Sequence, residues 1–143
     1  MIIRASEPLG VSLGKFMEIL KQIDNHLFQI DGMIMHYTYT RGDIIGELEH
    51  VNMLIQKLEN IFTLIIKKAQ GYEPNNTILY NHLRTIEVYL KKLKQTLQIA
   101  EVAYERDRTY GIKGVDKDII NSMRYIKLIK NELNIAIQQG LIV

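Results

Sequence analysis

Apolar residues recur in this chain at alternating intervals of three and four through four long segments. That spacing holds an apolar stripe on one face of a helix. The first segment supplies Leu13, Phe16, Leu20, Ile23, Leu27, Ile30, Ile34 and Tyr37. The second supplies Ile44, Leu48, Val51, Ile55, Leu58, Phe62, Ile65 and Ala69, and the third Leu79, Leu83, Ile86, Leu90, Leu93, Leu97, Ala100 and Tyr104. The fourth reads Ile119, Met123, Ile126, Lys130, Leu133 and Ile137, with Lys130 as its one violation. Neighbouring Ile129 covers that gap, because the stripe of a globular helix is wider than a strict seam.

Breakers and caps separate the segments. Residues 38–43 hold two threonines and Gly42, with Thr40 or Asp43 able to cap the next helix. Gly71-Tyr72-Glu73-Pro74-Asn75-Asn76 places a stop, a proline and a cap in succession. Residues 106–116 contain Gly111 and Gly114 and end on Asp116 as the next cap, while Gly140 closes the last helix. Asp31-Gly32 lies inside the first segment, but the period runs through it in phase, which predicts a weakened continuous helix. The expected helices cover about 12–38, 43–70, 76–106 and 117–139, behind an N-terminal arm at 1–11 and ahead of an apolar tail at 140–143. Short connections make consecutive helices antiparallel. The fold expected is all-α, an up-down-up-down four-helix bundle forming a single domain over residues 1–143. Its main rival is a pair of extended hairpins associating between chains.

Composition sets the function classes. A chain of 143 residues suits one domain, with 47% hydrophobic and 24% charged residues close to the globular average. The net charge of +2 does not announce a nucleic-acid or membrane partner, although charge is unevenly spread. Residues 1–83 carry seven Lys/Arg against nine Asp/Glu, and residues 84–143 carry eleven against seven. There is no cysteine, which removes disulfides, thiolate zinc sites and cysteine nucleophiles. Met1-Ile2-Ile3-Arg4 lacks the apolar run of a signal peptide. The longest uncharged stretch, residues 133–143, is about half of what spans a bilayer. A soluble, cytoplasmic protein with no membrane partner is expected.

Glu47-Leu48-Glu49-His50 contains the E-x-x-H of di-iron bundles, but such sites need carboxylates from all four helices and two inward pairs. The period of the second helix puts His50 on the solvent side with Glu47 flanking the seam, and the fourth helix offers Glu132 without a histidine. His26 and His82 flank seams and His36 falls on an outer position. Neither a Ser/His/Asp order, nor a phosphate-binding glycine loop, nor metal-type histidine spacing is present. Arg41-Gly42-Asp43 is read as a helix junction. Met17, Met33, Met35 and Met53 lie beside seams and are assigned to gap-filling in the core. No catalytic residue, metal or cofactor is expected.

Two polar surfaces and one apolar end remain as binding candidates. The bundle order brings the first and third connections to one end, gathering Tyr39, Arg41, Arg106, Arg108, Tyr110, Lys113 and Lys117 for a protein partner. Arg84, Lys91 and Lys94 on the third helix and Lys117, Arg124 and Lys127 on the fourth share strips expected to face each other, with Lys130 close by. Facing like charges favour an anion between them, so this band is the nucleic-acid candidate. At the opposite end, Met1-Ile2-Ile3, Tyr72 and Leu141-Ile142-Val143 are candidates for self-association. The leading expectation is a non-enzymatic adaptor, inhibitor or accessory subunit of a larger assembly, including nucleic-acid machinery. A nucleic-acid-binding small subunit stands second and a metal carrier or enzyme third.

Overall fold

A computed structural model of the chain describes residues 8–72, 77–107 and 110–139, with side chains at 12–69, 78–107 and 110–139. Residues 1–7 of the expected arm at 1–11, the Pro74 turn, Arg108 and the tail at 140–143 lie outside the described residues, as does the side chain of Tyr72, while residues 8–11 of that arm are already helical. Four helices make up the regular structure among those described: α1 (Pro8–Met35), α2 (Arg41–Tyr72), α3 (Thr77–Arg106) and α4 (Ile112–Gln138). With 27 to 32 residues each, they are rods of about 40–48 Å. Each helix packs on its chain neighbours and α1 closes on α4, while the diagonal pairs stay apart across the core. This is an antiparallel four-helix bundle closed by one chain. The hairpins α1–α2 and α3–α4 are packed more closely within themselves than against each other, which leaves α1/α4 and α2/α3 as the looser seams.

The stripes of α2 and α3 are buried at every expected position, and Leu54 joins them. In α1 the stripe is buried from Leu13 to Ile30, then Ile34 is only half-buried and Tyr37 is 85% exposed. Tyr37 has left the helix. The amide of Thr38 donates to the Met33 carbonyl and that of Tyr37 to Ile34, the paired bonds of a Schellman stop, with Tyr37 at φ 55°. A non-glycine residue there carries a strain of roughly 1 kcal/mol. Asp31-Gly32 does not interrupt α1.

In α4 the buried positions are Val115, Ile119, Ser122, Ile126, Ile129, Leu133 and Ala136. Met123 and Lys130 are half-buried and Ile137 is 42% exposed, so the expected stripe is corrected at three of its six positions. Small residues hold the alternate core places here. Ser122 is admitted because its hydroxyl donates to the Asp118 carbonyl at 2.7 Å, so no polar atom is stranded. The methionine assignment also changes. Met33 packs on the core, but Met17, Met35 and Met53 are exposed.

The register of α4 gives a direct prediction. Ile129→Ala removes a fully buried side chain and should cost about 2–5 kcal/mol in urea unfolding. Lys130→Ala, one residue on, should cost no more than about 1 kcal/mol. Equal costs would show that the helix is rotated otherwise.

Candidate functional site

The end of the bundle that holds residues 36–40, 107, 110 and 111 is built largely from its own candidate binding residues. Thr40 and Asp43 form a reciprocal capping box, Asp43 N–H to Thr40 Oγ1 at 3.1 Å and Thr40 N–H to Asp43 Oδ2 at 3.0 Å. Both expected caps are used, and α2 therefore starts at Arg41. The Arg41 guanidinium then lies over the Tyr104 ring, 4.3 Å from its centroid, and donates to the Tyr104 carbonyl. A cation on the last turn of α3 meets the negative end of that helix. Burial raises the Tyr104 phenol above its ordinary value, against the lowering pull of Arg41. Tyr39 packs against the same core.

α4 starts at Ile112 with Gly111 as its N-cap, so Asp116 is not a cap but a residue inside the helix. Tyr110 explains the early start. Its ring covers Gly114, where a Cβ would stand 2.9 Å from Tyr110 Cζ, and its hydroxyl donates to the Asp118 carboxylate. Burial, then the bond and charge of Asp118, push the Tyr110 phenol up to about 12. Asp116 faces Asp31 of α1: burial first, then the Asp31 carboxylate, raise its carboxyl. Arg106, Lys113 and Lys117 are exposed, Arg106 beside a shallow depression with Ile99 and Val102. The predicted cluster is thus divided: Tyr39, Arg41 and Tyr110 bind their own fold, and three cations face solvent.

The structure does not bring the six band residues together. Lys94 reaches α2 and pairs with Glu59 at 2.8 Å, and Lys91 pairs with Glu87 one turn away at 3.2 Å. Arg84, exposed and seven residues before Lys91, shares the Lys91 face of α3. Lys130 instead reaches α1 and pairs with Asp24 at 3.5 Å, and Arg124 and Lys127 line the same seam. The α3 cations border α2 and the α4 cations border α1, on opposite sides of the bundle. The rotation of α4 that put Ile129 in the core turns the α4 half of the band toward α1.

His26 and His82 are similarly occupied. His26 Nδ1 donates to Glu47 Oε2 at 3.2 Å and its ring meets that of His50 edge-on at 4.5 Å, which ties α1 to α2. His82 lies between Glu132 at 2.5 Å and Gln139 at 3.0 Å, which ties α3 to α4. Among the described residues no group of three or more histidines and carboxylates has a geometry that could hold a metal ion. No helix among them is long and apolar enough to cross a membrane.

The feature that sequence reasoning missed is a trench along the α1/α4 seam. Two depressions of about 710 and 540 Å³ share Asp24, Asn25 and Lys130 and so form one continuous groove. Met17, Lys21, Asp24 and Phe28 line it from α1, at the 4-3-4 spacing of a single helix face. Ile120, Met123, Arg124, Lys127 and Lys130 line it from α4. Phe28 is 72% exposed, Met17 45% and Ile120 43%. Phe28 itself carried the signal, since it sits between the seam residues Leu27 and Ile30 and must point off the core. No family model, curated protein or solved structure matches this chain.

Two predictions test this end of the bundle. Folding raises the Asp116 carboxyl above its unfolded value of 3.8, so the group supports the fold below that pH and opposes it as pH rises through the folded value. Asp116→Asn should therefore raise the urea midpoint at pH 7, and the gain should vanish below about pH 4. Gly114→Ala should destabilise the protein by dislodging the Tyr110 ring, yet stabilise a Tyr110→Ala background by about 0.5–1 kcal/mol through helix propensity. A double-mutant cycle without that change of sign would break the account of Gly114.

Proposed function

We propose that the chain is a non-enzymatic interaction protein, an adaptor, inhibitor or accessory subunit, that seats a protein partner in the α1/α4 groove. One observation carries the reading: Phe28, Met17 and Ile120 are exposed along a single seam whose floor is the core itself, at Leu20, Ile126 and Leu133. Single exposed apolar residues are ordinary on any surface, but a lined-up series over an apolar floor is the form of a docking site. The alternative chemistry has less to work with. His26, His82 and Arg41 are committed to interhelical bonds, and the basic band that would track a phosphate backbone is split between two sides.

The test compares two surfaces on one molecule. Phe28→Ser with Ile120→Ser alters exposed positions and should leave helix content and stability within about 0.5 kcal/mol of the parent. The pair should weaken capture of the protein partner from the native host by roughly 30-fold or more, the loss of a central anchor. Arg106→Gln with Lys113→Gln and Lys117→Gln should leave capture intact. The reverse pattern would move the docking site to the loop end.

A further inference from the structure

We infer that the occupant of the α1/α4 groove is an acidic amphipathic helix of a partner protein, which competes with Asp24 for Lys130. The inference rests on the groove being a docking site and adds what docks there. From Met17 to Phe28 the trench follows twelve residues of α1, a length of about 16 Å or three helical turns. A helix laid along it would present apolar residues at i, i+4, i+7 and i+11. The floor is aliphatic and two walls are Met17 and Met123, unbranched thioethers that adjust to an incoming ridge.

Charge decides which amphipathic helix fits. Four cations, Lys21, Arg124, Lys127 and Lys130, border the trench against two carboxylates, Glu18 and Asp24. Three of the four cations are on the α4 rim. Lys130 has only the long 3.5 Å contact to Asp24, and Arg124 and Lys127 have no ion pair among the described residues. The α2/α3 groove differs: its Glu59 and Glu87 already hold Lys94 and Lys91, so its rim is balanced from within. A partner with carboxylates three and four residues apart beside its apolar ridge would complete the α4 rim. The Asp24–Lys130 contact spans the trench where its two halves join. A partner carboxylate arriving there displaces Asp24, so Asp24 is the negative group that opposes binding. A nucleic acid would meet the same Asp24 and Glu18 without an apolar ridge to fill the floor.

The test uses a fluorescent peptide of about 18 residues, helical, with Leu and Met on one face and Glu beside it, and a twin with Lys for each Glu. A short oligothymidylate is the third probe, and anisotropy reads all three against the full chain. The Glu peptide should bind at least about tenfold more tightly than its twin, and added salt should narrow that ratio. Arg124→Gln with Lys127→Gln should reduce the preference below about threefold, while Asp24→Asn should tighten the Glu peptide about three- to tenfold. The opposite signs at Asp24 and at the α4 cations are not what a general loss of folding would give. Equal affinity for the twins, abolished by Phe28→Ser, overturns the acidic-helix inference while the groove stands as a docking site. Binding by neither peptide, tighter binding of oligothymidylate, or weaker binding in Asp24→Asn also overturns it. So does a concentration-dependent dimer that Phe28→Ser disperses, because a second copy would then be the occupant.

Discussion

Burial of four apolar stripes against one another is the interaction on which the rest of this molecule depends, and α4 shows how it shapes the surface. Its core positions include Ser122 and Ala136, small residues that leave the larger Met123 and Ile137 to point away from the centre. Core packing rewards the combination that fills space, not the largest residue at each place. With Ile129 inside, Lys130 and Lys127 turn toward α1. The cationic wall of the groove is therefore a by-product of how the core was filled. Chemistry at the rim and packing at the centre come from the same rotation.

Polar residues complete the closure at the flanks. His26 with Glu47 fastens the first hairpin and His82 with Glu132 the second, each between residues that border a stripe. Such part-exposed pairs contribute little individually, on the order of 0.2–1 kcal/mol. Their effect is on register, since each fixes one helix against the other at a single level. Glu47 and His50 do lie together with His26, but the arrangement is a clasp between α1 and α2.

Much of the fold was legible in the chain because a 3-4 period is a local property, and α2 and α3 obey it at every expected position. The departures have physical causes that a linear reading does not contain. Tyr37 continues the count of α1, but the backbone has already turned into the left-handed region, which is normally marked by glycine. Ser122 and Ala136 were passed over because neither is strongly apolar, while Met123 and Ile137 are. Asp116 has the identity of a cap and the position of an interior residue, because the Tyr110 ring over Gly114 lets the helix begin one turn earlier. Arg41 and Tyr110 were recognisable as anchors, but not as anchors of their own fold. The groove joins residues such as Asp24 and Lys130, more than a hundred positions apart, and its existence depends on the phase of α4. Only Phe28, an aromatic between two seam positions, announced it locally.

The two seams between hairpins are fastened unequally, and this bears on why binding should fall where it does. Along α2/α3 the structure places Lys94–Glu59 at 2.8 Å, the Asn52 amide donating to the Leu97 carbonyl and to Glu101, and Arg41 on the end of α3. Along α1/α4, among the described residues, it places the long Lys130–Asp24 contact and the Asp31–Asp116 pair, in which burial and the neighbouring Asp31 raise the Asp116 carboxyl. A groove that must admit a partner's side chains has to part its own contacts first, and that cost is lowest where the contacts are weakest. The bundle holds α2/α3 with direct polar bonds and leaves α1/α4 with unspent cations over an aliphatic floor. A carboxylate from outside would supply there the counter-charge that the chain's own sequence does not.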